Sequence, residues 1–189
     1  MIRRKRNLNE ELDKMKKLAG LITESDSSNV HPENNRIKSE LGLLLSVDDD
    51  TRSELEKRIS DGLPDGQTRL PSDKFHITLT SIKKFNPFLG DMKNLVLPMT
   101  WEDGSLVEIP KVKIGEYRSV YRPEQKKETY VASLTPESQS KLKNFVDKLY
   151  AEYGHENPEG DRFFHITVSN NGGGVSLNSI GNVNAQDFQ

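Results

Sequence analysis

The chain has 189 residues, 33% of them hydrophobic and 30% charged, with no cysteine and a formal net charge of −2 at pH 7. That length carries one domain of roughly 150 residues plus appendages, and the absence of cysteine excludes disulfides and thiolate metal sites. The near-zero charge argues against a protein that coats long nucleic acid, and no apolar run approaches the roughly 20 residues needed to cross a bilayer.

Residues 1–38 read as an accessory segment. The basic run Arg3-Arg4-Lys5-Arg6 precedes Leu8, Leu12, Met15, Leu18 and Ile22, spaced at three- and four-residue intervals. That spacing predicts an amphipathic helix, packed on the domain or joining a second copy. Residues 25–37, rich in Ser, Asn and Asp around Pro32, read as a linker. From Leu41 to Val47 the chain reads as a buried strand. Asp49 or Asp50 then caps a helix over 51–63, with Leu55, Ile59 and Leu63 four apart.

Phe75 to Thr80 reads as a second strand. Pro87, Gly90 and Pro98 punctuate an irregular stretch from Phe85 to Trp101. Val107 to Tyr121 is expected as strand broken at Pro110, where the apolar parity switches from Val107 and Ile109 to Val112 and Ile114. Arg122 to Glu128 forms the loop of a hairpin leading into a strand over Thr129–Leu134. Thr135 caps a helix that Pro136 opens, with the stripe Leu142, Phe145, Val146, Leu149, Tyr150 and Tyr153. A last strand covers Phe164–Ser169. Residues 171–189 form a polar tail with too few apolar side chains to fold alone.

The last strand nearly repeats the second: Phe75-His76-Ile77-Thr78-Leu79-Thr80 against Phe164-His165-Ile166-Thr167-Val168-Ser169, an offset of 89 (165 − 76). Applied to Leu45-Ser46, the same offset gives Leu134-Thr135, so each half reads strand, helix, histidine strand. Strand alternation puts His76, Thr78 and Thr80 on one face, and His165, Thr167 and Ser169 likewise. Two imidazoles beside hydroxyls on rigid strands suit acid–base chemistry at a phosphate. His31 and His155 lie in polar surroundings and read as exposed bystanders, and two histidines without further ligands do not make a zinc site. Lys83, Lys84, Lys111, Lys113, Arg118 and Arg122 are available for a local positive cleft. Tyr117, Tyr121 and Trp101 are the candidates for stacking on a base.

Paired His-x-Thr motifs, His76-Ile77-Thr78 and His165-Ile166-Thr167, one per half of an α+β chain, resemble the 2H phosphoesterase superfamily over about residues 39–170. The resemblance implies a duplicated, bilobal LigT-like fold, in which two antiparallel sheets flank a central cleft. It also implies phosphodiester chemistry without metal or cofactor. The ending Arg162-Phe163-Phe164-His165-Ile166-Thr167-Val168-Ser169-Asn170 resembles phage anti-CBASS proteins, which cut cyclic di- and trinucleotide signals. The expected partner is thus a small nucleotide, and the expected location the cytoplasm, that of a host cell for a phage protein. One histidine takes a proton from the attacking oxygen, the other gives one to the leaving oxygen, and Thr78 and Thr167 donate to the non-bridging oxygens. Which histidine is the base stays open. So do an RNA-end enzyme acting on 2′,3′-cyclic phosphates or 2′–5′ linkages, a module that sequesters nucleotides without turnover, and an assembly factor built on the N-terminal helix.

Overall fold

The computed structural model describes residues 30–39, 42–123, 126–171 and 183–188. The basic run and amphipathic stripe of the N-terminal segment lie outside them. Seven strands form one antiparallel sheet: β1 (Ile37–Lys38), β2 (Leu43–Ser46), β3 (Thr68–Arg69), β4 (His76–Thr80), β5 (Ile114–Arg122), β6 (Lys127–Leu134) and β7 (His165–Asn170). They lie in the order β1-β2-β4-β7-β6-β5, with β3 also paired to β7. The architecture is α+β. The expectation of two sheets flanking a cleft is corrected, because Ile77 pairs with Ile166 and joins β4 to β7.

One register row crosses the whole sheet. Ile37 faces Leu45, Leu45 faces Ile77, Ile77 faces Ile166, Ile166 faces Ala132, and Ala132 faces Tyr117. Six apolar side chains in line define the core face, and the two longer helices bury their stripes in the same core. Helix α1 (Asp49–Ser60) contributes Leu55 and Ile59. The short helices α2 (Ile82–Phe85) and α3 (Leu89–Met92) punctuate the stretch expected to be irregular. Helix α4 (Pro136–Glu152) buries Leu142, Phe145, Val146, Leu149 and Tyr150. At about 1.5–3 kcal/mol per fully buried large apolar side chain, that stripe is a principal source of the domain's stability.

Helix starts follow their caps. Asp48, not Asp49 or Asp50, caps α1 by accepting from the Thr51 N–H at 2.8 Å, so that helix occupies 49–60 rather than 51–63. Thr135 caps α4 by accepting from the Ser138 N–H, as expected. Each cap lies two residues beyond a serine that pairs with a motif histidine, Ser46 with His76 of β4 and Ser133 with His165 of β7. Matching those serines gives an offset of 87 (133 − 46), two fewer than the histidine strands themselves. Gly42 opens β2 at φ +98, and a Cβ there would stand 2.5 Å from the Thr80 carbonyl oxygen, so only glycine fits.

Three expectations for the flanks are corrected. Residues 107–113 are not strand, yet Val107, Ile109 and Val112 each bury in the core, which accounts for their apolar pattern without a ladder. From residue 30 on, the segment assigned to a linker packs on the domain: Asn34 Oδ1 accepts from the Leu97 N–H at 2.7 Å, and Ile37–Lys38 adds the edge strand. Within the polar tail, Val183 buries against Val120 and Val131, and a turn over Ala185–Phe188 packs beside it. Three valines and two phenylalanines suffice there because the sheet supplies the other wall.

Candidate active site

β4 and β7 lie side by side mid-sheet and meet through the pair Ile77–Ile166. Antiparallel pairing about that point sets His76 opposite Thr167 and Thr78 opposite His165. Alternation turns all four side chains to the face away from the helices, while both isoleucines are fully buried beneath. The two histidines are diagonal neighbours, with Cα atoms roughly 7–8 Å apart. Imidazoles at that spacing can reach opposite oxygens of one tetrahedral phosphorus.

The two rings are oriented alike. His76 Nδ1 lies 2.7 Å from the Lys74 carbonyl oxygen, and His165 Nδ1 lies 3.5 Å from the Phe163 carbonyl oxygen, each two residues back. A carbonyl only accepts, so Nδ1–H is the donor in both and Nε2 is left for proton transfer. The contact at His165 is long and correspondingly weak. Burial pushes the His165 imidazole down to about 4; the nearby Arg162 guanidinium and His76 push the same way, against the Phe163 carbonyl and Asp187. A ring so placed is neutral at pH 7 and able to accept a proton.

The histidine strands share one further irregularity. Leu43 pairs with Thr80 while Leu44 pairs with Thr78, so β4 carries an extra residue at Leu79. In β7, Tyr130 pairs with Ser169 while Val131 pairs with Thr167, leaving Val168 extra. Each bulge reverses the alternation that follows it. Thr80 is consequently buried and accepts from the Tyr150 hydroxyl at 3.1 Å on the helix side, and Ser169 is buried and donates to Gln67. The expectation that Thr80 and Ser169 share the histidine face is corrected on that ground.

Nor does the structure bring the stacking candidates to the histidines. Tyr117 stands in the core-face row, stacked with Tyr130 and beneath the Arg58 guanidinium. Burial pushes its hydroxyl up to about 12. Tyr121 is exposed on the same side by alternation. Trp101 is buried edge-on to Phe145 of α4. The basic residues divide: Arg118 and Arg122 meet at the C-terminal turn, where Arg118 stands over the Phe188 ring and Arg122 holds Asp187, whereas Lys84 donates to the Pro158 carbonyl and Lys111 lines a groove of about 680 Å³ beside Trp101 on the helix side. His155 is half-buried rather than exposed, 2.8 Å from Asp91 and against the Phe88 ring.

Several residues beside the histidines were not singled out by the sequence. Ser133 faces His165, but its hydroxyl accepts from the Glu116 N–H at 2.8 Å and donates to the Glu116 carbonyl at 3.1 Å, which fixes β5 to β6. Glu159 accepts from the Ser81 N–H just past β4 and from Arg162 Nη1 at 3.0 Å just before β7. Burial pushes its carboxyl up, yet the Ser81 and Arg162 contacts hold it below the usual range. Phe163 shares the parity of His165 and packs on Phe188 with ring centroids 5.4 Å apart. That parity was the available signal, since Phe163 precedes the motif by two residues. Arg122 holds Asp187 through two bonds of 2.9 and 2.7 Å and so anchors the C-terminal turn beside the histidines.

No protein-family model matches this chain, and no curated protein or solved structure matches it. Among the described residues, no group of three or more His, Asp or Glu side chains is placed to hold a metal ion, and no helix is long and apolar enough to cross a membrane.

Proposed function

We propose that the protein is a two-histidine phosphodiesterase of the 2H type, cleaving 3′–5′ bonds of small cyclic oligonucleotides. The observation that carries this reading is the shared face: His76, Thr78, His165 and Thr167 on adjacent central strands, with both Nε2 atoms available. Matched bulges at Leu79 and Val168 support a duplicated, bilobal origin for the fold, with the join between lobes at Ile77–Ile166.

His165 is the base in this account. Its neutral ring takes the proton of the 2′-hydroxyl next to the scissile phosphate, and that oxygen forms a bond to phosphorus. The P–O5′ bond breaks, and His76, entering the step as the imidazolium with Nδ1–H still on the Lys74 carbonyl, delivers its Nε2 proton to O5′. The products are a 2′,3′-cyclic phosphate and a 5′-hydroxyl, and water admitted to the same site opens the ring in a second pass. An anionic phosphate between the rings raises the affinity of His165 for a proton, bringing it towards the working range. Thr78 and Thr167 donate to the non-bridging oxygens as charge builds there.

The test is product analysis in EDTA, with a panel of 3′,3′-cyclic dinucleotides and a short RNA ending in 2′,3′-cyclic phosphate. Wild type is expected to linearise at least one cyclic dinucleotide, and His76→Ala and His165→Ala to lose about 10²–10⁴-fold each. Turnover of the RNA end alone transfers the reading to an RNA-end enzyme. A ligand recovered intact from the protein after prolonged incubation favours a sequestering module.

A further inference from the structure

Just before β7 begins, a groove of about 600 Å³ opens between the first turns of α4, the segment 161–163 and the C-terminal turn, and its lining residue Phe163 stands two positions before His165. Its residues divide into a fixed part and a free part. Gln139 commits its whole side-chain amide to the backbone of Phe164, accepting from the N–H at 2.8 Å and donating to the carbonyl at 2.7 Å. That pair pins the chain at Phe164, between Phe163 and His165. Asn184 accepts from the Gln186 N–H and so fixes the turn on the opposite wall. The Gln186 side-chain amide lines the groove beside the half-buried Phe163 ring.

We infer that this groove is a nucleobase subsite, with Phe163, backed by Phe188, as the stacking surface and the Gln186 amide, with the Nδ2 group of Asn184, as readers of the base edge. The inference rests on the phosphate position proposed above and names where the attached base goes. Two residues of extended chain separate Phe163 from His165, roughly 6.6 Å, about the span of the sugar that links a phosphate to its base. A planar ring with amide groups at its edge is the combination that unpaired bases select, through stacking and hydrogen bonds to the base rim. Arg162, held by Glu159, lines the same groove and stands near enough to His165 to act on it electrostatically. The occupant is therefore a nucleotide with a free base rather than a bare phosphate ester.

The experiment measures binding of the four 5′-nucleoside monophosphates and of ribose 5-phosphate to the full-length protein by calorimetry. The inference expects at least one nucleotide to bind tenfold or more tightly than ribose 5-phosphate. Phe163→Leu should lose about 5- to 100-fold of that nucleotide affinity, as expected for one base–aromatic stack, and Gln186→Ala should change the order of preference among bases. Neither variant should alter ribose 5-phosphate binding, which also shows that both remain folded. Equal binding of nucleotides and ribose 5-phosphate overturns the groove while leaving the phosphate site standing. Failure of every probe to bind wild type overturns both.

Discussion

At the residue scale, what distinguishes the two histidines is their surroundings rather than their sequence frame. His165 lies beneath the C-terminal turn and beside Arg162, and burial together with that cation favours its neutral form. Above the unfolded value of about 6.5 the ring is neutral in both states. As pH falls from there towards about 4, the unfolded chain takes up a proton that the folded chain refuses, so stability declines across that window. His165→Gln should flatten this part of the stability–pH curve, removing about 1–3 kcal/mol of pH-dependent change between pH 7 and 4. Urea unfolding at a series of pH values measures it. A curve that keeps its full slope in His165→Gln would place the titrating group elsewhere.

At the element scale, one carboxylate couples the two motif strands. Glu159 bridges the Ser81 N–H beyond β4 and the Arg162 guanidinium before β7, at the end of the sheet where the strands are otherwise free to part. Both partners are largely covered, with side-chain exposures of 9% for Glu159 and 18% for Arg162, so solvent replaces the bond poorly. Glu159→Ala leaves Arg162 without its partner and should cost about 3 kcal/mol, read as a shift in the denaturation midpoint. A loss below about 1 kcal/mol would mean that water takes the place of the carboxylate. No local pattern marked Glu159, because its partners lie 78 and 3 residues away and only the folded chain unites them. Bulges escaped for a similar reason. Alternation placed His76, Thr78, His165 and Thr167 correctly on one face, but the extra residues at Leu79 and Val168 depend on pairing with β2 and β6.

At the scale of the whole molecule, the repeat was the legible part: it located the two strands that lie at the centre of the sheet, and the helix stripe of α4 located the core. Which sheet edge each strand joined was not legible, since short apolar runs carry no register. Aromatic residues were the weakest guide, because Tyr117 and Trp101 fill the helix-side core through the same affinity for apolar surface that suits them to bases. The central claim is that His76 and His165 grip one phosphate together. With four histidines in the chain, imidazole NMR resonances can report this directly, and His31 and His155 serve as internal controls. Titration with 3′-AMP should move the His76 and His165 signals along a single shared isotherm while the other two stay still. Separate saturation of the two signals, or movement of only one, would contradict a shared phosphate site.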